Sequence, residues 1–188
     1  MPVWEAAAVV LGICYLLLAV REHIWCWYAA FASTAIYLFL FWDVKLLMES
    51  ALQVYYLAMA VYGWWQWQHG DSSDGELRIS RWPPRVHFYA IGAILLISAG
   101  SGQLLREYSS AALPFLDSFT TWGAVLTTWM VAKKVLENWL YWLVIDSVSI
   151  YLYVDRELYL TAGLFAAYIL IAVFGFRAWL KHFRSQSA

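Results

Sequence analysis

Charge is scarce in this chain. Asp, Glu, Lys and Arg together make up 13% of its 188 residues, about half the share of an ordinary soluble domain. Twelve basic and thirteen acidic residues nearly cancel, which argues against a nucleic-acid partner, since that would want a basic patch. There are two cysteines. Both Cys14 and Cys26 fall inside apolar windows, so they read as small buried hydrophobes rather than as a disulfide or a metal pair. The four histidines lie scattered near predicted helix ends, and no pair has metal-ligand spacing. No glycine-rich loop follows a strand, and no dense basic cluster lines the apolar segments, so a phosphorylated ligand is disfavoured. Neither a metal nor a cofactor is called for.

Apolar residues are abundant instead, at 63% of the chain, with 19% aromatic and a mean hydropathy of +0.60. A bilayer core of about 30 Å needs roughly 20 apolar residues per helix. Windows of that kind run over Val3–Val20, Ile24–Trp42, Leu46–Gln66, Val86–Leu105, Phe115–Ala132, Val135–Val154 and Leu158–Leu180. They are continuously apolar, whereas membrane-barrel strands alternate over about ten residues. The fold class is therefore an all-α integral membrane protein of seven transmembrane helices, forming one domain over residues 1–188. The first window carries Glu5, has no basic start and precedes no small-residue cleavage pattern, so it is expected to stay rather than be removed as a signal.

Basic residues set the orientation. On one side lie Lys45, Arg106 and Arg156; on the other lie Arg21, Arg78, Arg81, Arg85, Lys133, Lys134, Arg177, Lys181 and Arg184. That bias predicts an outside N-terminus and a cytoplasmic C-terminus. The tryptophans Trp4, Trp25, Trp42, Trp82 and Trp179 fit interfacial belts.

One linker interrupts the helices, "QHGDSSDGELRISRWPPR" at residues 68–85, too rich in Gly, Ser, Asp and Pro for a lipid-exposed helix. The flanking halves resemble each other. "REHIWCWYAAFASTAIY" (21–37) aligns with "LENWLYWLVIDSVSIYL" (136–152) at an offset of 115, and "YGWWQW" (62–67) with "FGFRAW" (174–179) at 112. Three helices, one connector and three helices return the second unit in the same orientation, which makes the repeats parallel, as in the SWEET transporters. Repeat one spans about 3–67, the connector helix about 86–105 and repeat two about 115–180.

Helix 6 holds polar residues at membrane depth. Asn138, Trp142, Asp146, Ser149 and Tyr153 recur every three or four positions and so share a face. An ionisable group in that setting costs at least about 2.5–3.5 kcal/mol and faces a bundle interior or a wet cavity. At the 115 offset the first repeat has Phe31 where Asp146 stands, so the scaffold does not require the carboxylate. Helix 3 adds Glu49, Gln53 and Tyr56 on one face, and helix 5 pairs Thr121 with Thr128 and Trp122 with Trp129. Trp122, Trp129, Trp139 and Trp142 serve either packing or ligand contact; Gln53 and Asp146 serve either a ligand or an interhelical hydrogen bond. Aromatic walls with amide and carboxylate partners suit a small planar solute bearing hydroxyls, or a cationic ring.

"VAKKVLENWLYWLVIDSVSIYLY" together with "YGWWQW" resembles the bacterial nicotinamide riboside transporter family, PnuC, within the wider Pnu vitamin transporters. The likeness covers essentially the whole chain, and "ENWLYWLVID" is its most specific part. It implies seven helices in a SWEET-like three-one-three parallel repeat in the bacterial inner membrane. It also implies uptake of nicotinamide riboside by facilitated diffusion, with trapping by a cytoplasmic riboside kinase that forms no stable complex with the carrier. Carried onto this sequence, the resemblance favours Asn138, Trp139, Trp142 and Asp146, Gln53 and Tyr56, and Trp122 as substrate-binding residues, beside the Ser149 and Tyr153 of the same helix-6 face. Relatives in the superfamily carry thiamine or riboflavin, so another vitamin remains open.

Two other classes compete. An intramembrane enzyme needs a nucleophile with a base, or paired acids at matched depth; Asp146 has no acidic or histidine partner in its own helix, and no catalytic residue is assigned. A binding subunit energised by a separate complex is the other. Homo-oligomerisation is left open, since one chain with two repeats has enough helices to enclose a site.

Overall fold

Seven α-helices carry the computed structural model, which describes residues 2–43, 47–70, 77–109, 113–155 and 159–186. They are α1 (Pro2–Val20), α2 (Trp25–Asp43), α3 (Leu47–Gln68), α4 (Pro84–Tyr108), α5 (Pro114–Ala132), α6 (Asn138–Asp155) and α7 (Tyr159–Gln186). No strand occurs among the described residues; the one bridge joins Ser80 to Val135. Pro84 and Pro114 each open a helix at the position where a missing N–H costs nothing. Pro84–Tyr108 and Ala162–Gln186 are each long and apolar enough to cross a membrane.

Two helix boundaries depart from the apolar windows for a local reason. The window for helix 6 begins at Val135, yet α6 starts at Asn138 because Lys134 adopts a left-handed backbone, φ 49°, and Val135 and Leu136 turn away beside Ser80. The last window ends at Leu180, whereas α7 continues to Gln186, since its final two turns are basic and polar and leave the apolar zone without leaving the helix.

Packing is sequential within each half: α1 on α2 and α2 on α3, then α5 on α6 and α6 on α7. The halves meet where α1 touches α7 and α3 touches α5, while α4 packs mainly on α5 and reaches α6 through His87, whose Nδ1 lies 2.8 Å from the Tyr141 hydroxyl. Local details recur 112 positions apart. Both α1 and α5 end in the same cap, with His23 N–H bonded to Leu18 C=O and Val135 N–H to Met130 C=O, each at 2.9 Å. The residue at the bend is Glu22 (φ 53°) in one and Lys134 (φ 49°) in the other, the left-handed position of a Schellman motif. Trp27 meets Trp67 edge-on at 5.3 Å between ring centres, and Trp139 meets Trp179 edge-on at 5.4 Å. The Trp67 indole donates to Val131 C=O at 3.2 Å, and the Trp179 indole to Ala19 C=O at 2.9 Å.

This register corrects three expectations. The counterpart of Asp146 is Thr34, not Phe31, whose side chain is exposed; the 115 offset slipped by three residues, nearly one helical turn, which preserves apolar periodicity and so hides in the sequence. Trp179 belongs to no interfacial belt: it is fully buried where the two halves meet. Cys26 is buried, but Cys14 is exposed on the outer surface of α1.

Candidate substrate-binding cavity

A cavity of about 280 Å³ lies among α1, α2, α3, α5, α6 and α7, just below the roughly 300–1,000 Å³ usual for ligand sites. Six pairs of its lining residues stand 112 apart: Leu16 and Thr128, Trp27 and Trp139, Ala30 and Trp142, Thr34 and Asp146, Tyr56 and Tyr168, Ala60 and Ala172. Glycine sets two of these walls. A Cβ on Gly63 would lie 2.3 Å from the Trp27 ring, and one on Gly175 would lie 2.8 Å from the Trp139 ring, so each indole lies flush against a bare backbone. The N–H groups of Trp27 and Trp139 are buried without hydrogen-bond partners among the described residues.

Among the described residues Asp146 is the one charged member of the lining, and it is 5% exposed. No hydrogen bond or ion pair reaches its carboxylate among the described residues, and no Lys or Arg lines the cavity. Aromatic rings line the same cavity: Trp139 and Trp142 on its own helix, Tyr56 on α3, and Tyr168 and Phe165 on α7. An uncompensated carboxylate inside an aromatic enclosure can pair with a cationic ring that stacks on those faces.

Of the residues singled out in the sequence, Tyr56, Trp139, Trp142 and Asp146 line the cavity, together with Thr128. Asn138 is fully buried at the start of α6, its amide nitrogen donating to Val135 C=O at 2.7 Å and its oxygen without a partner among the described residues. Ser149 is buried and Gln53 half-buried, both outside the lining. Trp122 points elsewhere: it is 38% exposed and donates to the Ser101 hydroxyl of α4 at 3.1 Å. Trp129 packs against Trp82. The side chains of Glu49 and Tyr153 lie outside the described residues. Sequence reasoning missed Trp27, Thr34, Tyr37 and Tyr168; carrying the 112 offset of "YGWWQW" back into helix 2 finds the first two, and carrying it from Tyr56 finds Tyr168.

A family model described as nicotinamide mononucleotide transporter matches residues 2–181. The nicotinamide riboside transporter PnuC of Escherichia coli (strain K12) is 24% identical over 210 residues, covering 98% of this chain and 87% of the relative. The riboflavin/roseoflavin transporter RibM of Streptomyces davaonensis is 26% identical over 183 residues, covering 95% and 84%. Among solved structures, the crystal structure of the vitamin B3 transporter PnuC superposes with a TM-score of 0.74 at 19% identity, over 97% of this chain and 82% of that one.

Proposed function

Because this chain belongs to the nicotinamide mononucleotide transporter family, and is thereby an integral membrane transporter rather than an enzyme, we propose that its cargo is nicotinamide riboside. The observation that carries this reading is the unpaired Asp146 in an aromatic cavity. Nicotinamide riboside is a flat pyridinium cation bearing a hydroxylated sugar, so it supplies the charge the carboxylate lacks and a ring for Trp142 to stack on. A mononucleotide adds a phosphate, which would meet Asp146 and, among the described residues, no basic residue on the cavity wall. Riboflavin is a larger, neutral tricycle that brings no positive charge to the carboxylate.

The carrier works by facilitated diffusion in the inner membrane, its C-terminus in the cytoplasm, and phosphorylation inside the cell traps what enters. Residues 1–188 form one domain of two parallel three-helix repeats joined by α4; the recurrence of caps, tryptophan pairs and cavity residues at one spacing supports that arrangement. Nicotinamide riboside binds among Tyr56, Trp139, Trp142 and Asp146.

Calorimetry on the purified chain against nicotinamide riboside, its mononucleotide, nicotinamide, thiamine and riboflavin tests the reading. Heat with the riboside alone is expected. Thiamine, also a ring cation, is the informative competitor: tighter binding of thiamine would replace the proposed cargo. Uptake by the chain alone in liposomes separates a self-sufficient carrier from a subunit that needs an energising partner.

A further inference from the structure

Thr34 and Asp146 stand 112 positions apart and both line the cavity, and among the described residues neither the hydroxyl nor the carboxylate has a hydrogen-bond partner. For Thr34 this is unusual. A helical threonine commonly bonds back to a carbonyl one turn earlier, as Thr127 does to Gly123 and Thr128 to Ala124. The adjacent Ser33 donates to Ala8 C=O at 2.8 Å. Thr34 does neither, although its hydroxyl can both donate and accept.

One turn before each, the match between the halves breaks in size as well. Ala30 lines the cavity where its counterpart is Trp142. The walls agree at Trp27 with Trp139 and at Tyr56 with Tyr168, then diverge into an indole beside a carboxylate on α6, and a methyl group beside a hydroxyl on α2.

We infer that this broken symmetry divides the cavity into two subsites, with the cationic ring held by Trp142 and Asp146 and the sugar received beside Ala30, where Thr34 hydrogen-bonds one of its hydroxyls. Stacking needs the large flat face and charge needs the carboxylate, so the ring belongs on α6. A hydroxylated appendage needs room and a neutral partner, and α2 offers both. Thr34 is then a specificity residue, distinguishing a riboside from a ring without hydroxyls. The assignment rests on the riboside cargo proposed above.

The test compares nicotinamide riboside with its 2′,3′-dideoxy analogue on the purified full chain. Wild type should prefer the riboside by roughly 3- to 10-fold, the worth of one neutral hydrogen bond. Thr34→Val should weaken the riboside by that factor and the analogue by less than about 2-fold, Thr34→Ser should restore it, and Ala30→Trp should abolish riboside binding in a folded protein. Equal wild-type affinity for the two ligands overturns the assignment whatever the variants do. So does a Thr34→Val that loses equally on both, or on neither. Wild type that ignores nicotinamide riboside altogether removes the cargo, and this assignment with it.

Discussion

Glu22 and Lys134 are 112 positions apart in the chain and 3.1 Å apart in the fold. Each is the left-handed residue at which the first helix of its half ends, and each side chain is largely buried. A backbone position that glycine would fill most easily is held in both halves by a charged residue. The reason is the partner: the two caps meet at the boundary between the halves, where Lys134 also sits 4.5 Å above the Trp67 ring and Glu22 contacts His182 of α7. A helix cap has become the tie between two halves.

The tie has a measurable strength. Breaking a buried ion pair from one side costs about 3–5 kcal/mol, less where water reaches it. Glu22→Asn isolates that term, since Asn tolerates the left-handed backbone while the charge is removed. It should lower the thermal midpoint in detergent by several degrees, and Lys134→Met should do the same. Exchanging the two residues should recover much of the loss; a swap as damaging as either single change would mean that Trp67 and His182, not the pair, hold the boundary.

Glycine contacts give a sharper contrast. A methyl on Gly63 or Gly175 must displace the ring of Trp27 or Trp139, and overpacking of this kind costs about 1–3 kcal/mol. Gly63→Ala and Gly175→Ala should each destabilise the protein and blunt ligand binding, because both indoles line the cavity. Gly92 on α4 has nothing within 4 Å, so Gly92→Ala should be neutral or slightly stabilising through helix propensity. Equal midpoints for all three would show that the rings move aside freely.

Seven helices could be read from the chain because each apolar window is long and is bounded by a short break or by the polar linker at 68–85. The α6 face singled out in the sequence meets the cavity only in part: Trp142 and Asp146 line it, whereas Asn138 and Ser149 do not. Two things stayed hidden. Orientation of a side chain on a lipid-spanning helix is not written in hydropathy, as lipid and protein interior are equally apolar; thus Trp122, which bonds Ser101 of α4, looked equivalent to Trp142. Register between the halves was hidden because a slip of three residues keeps a helix face nearly in phase, and only paired contacts such as Trp27 with Gly63 and Trp139 with Gly175 fix it.

Trp122 therefore supplies a control. Its indole lies off the cavity lining, so Trp122→Phe should leave the affinity for nicotinamide riboside within about 2-fold while lowering stability slightly. A large loss of affinity with normal folding would return Trp122 to the site.

Orientation can be checked without any ligand. The contacts of Glu22 with Lys134, Arg81 with Glu137 at 2.9 Å, and His182 with Glu22 gather the loops before α2, α4 and α6 with the end of α7 on one face. That face holds nine of the twelve basic residues by the sequence count, and positive charge stays on the cytoplasmic side. A reporter that fluoresces only in the cytoplasm, fused after Ala188, should light up; a dark but membrane-inserted fusion would reverse the topology.

The proposed cargo stands or falls on the carboxylate and the ring beside it. Asp146→Asn preserves shape and removes charge, and hydrogen bonds to charged groups are worth about 1.5–3 kcal/mol, so the riboside should bind roughly 10-fold or more weakly. Trp142→Ala removes the stacking face, which by analogy with base–aromatic stacking is worth about 1–3 kcal/mol, or about 5- to 150-fold. Both proteins should keep their fold, since neither residue donates a hydrogen bond to the scaffold among the described residues. Charge also separates ligands: Asp146→Asn should spare a neutral ring such as nicotinamide that it penalises when quaternised by ribose. If the folded Asn protein binds and transports the riboside as the wild type does, Asp146 is an interhelical strut and the cation must be held by the tryptophan faces alone.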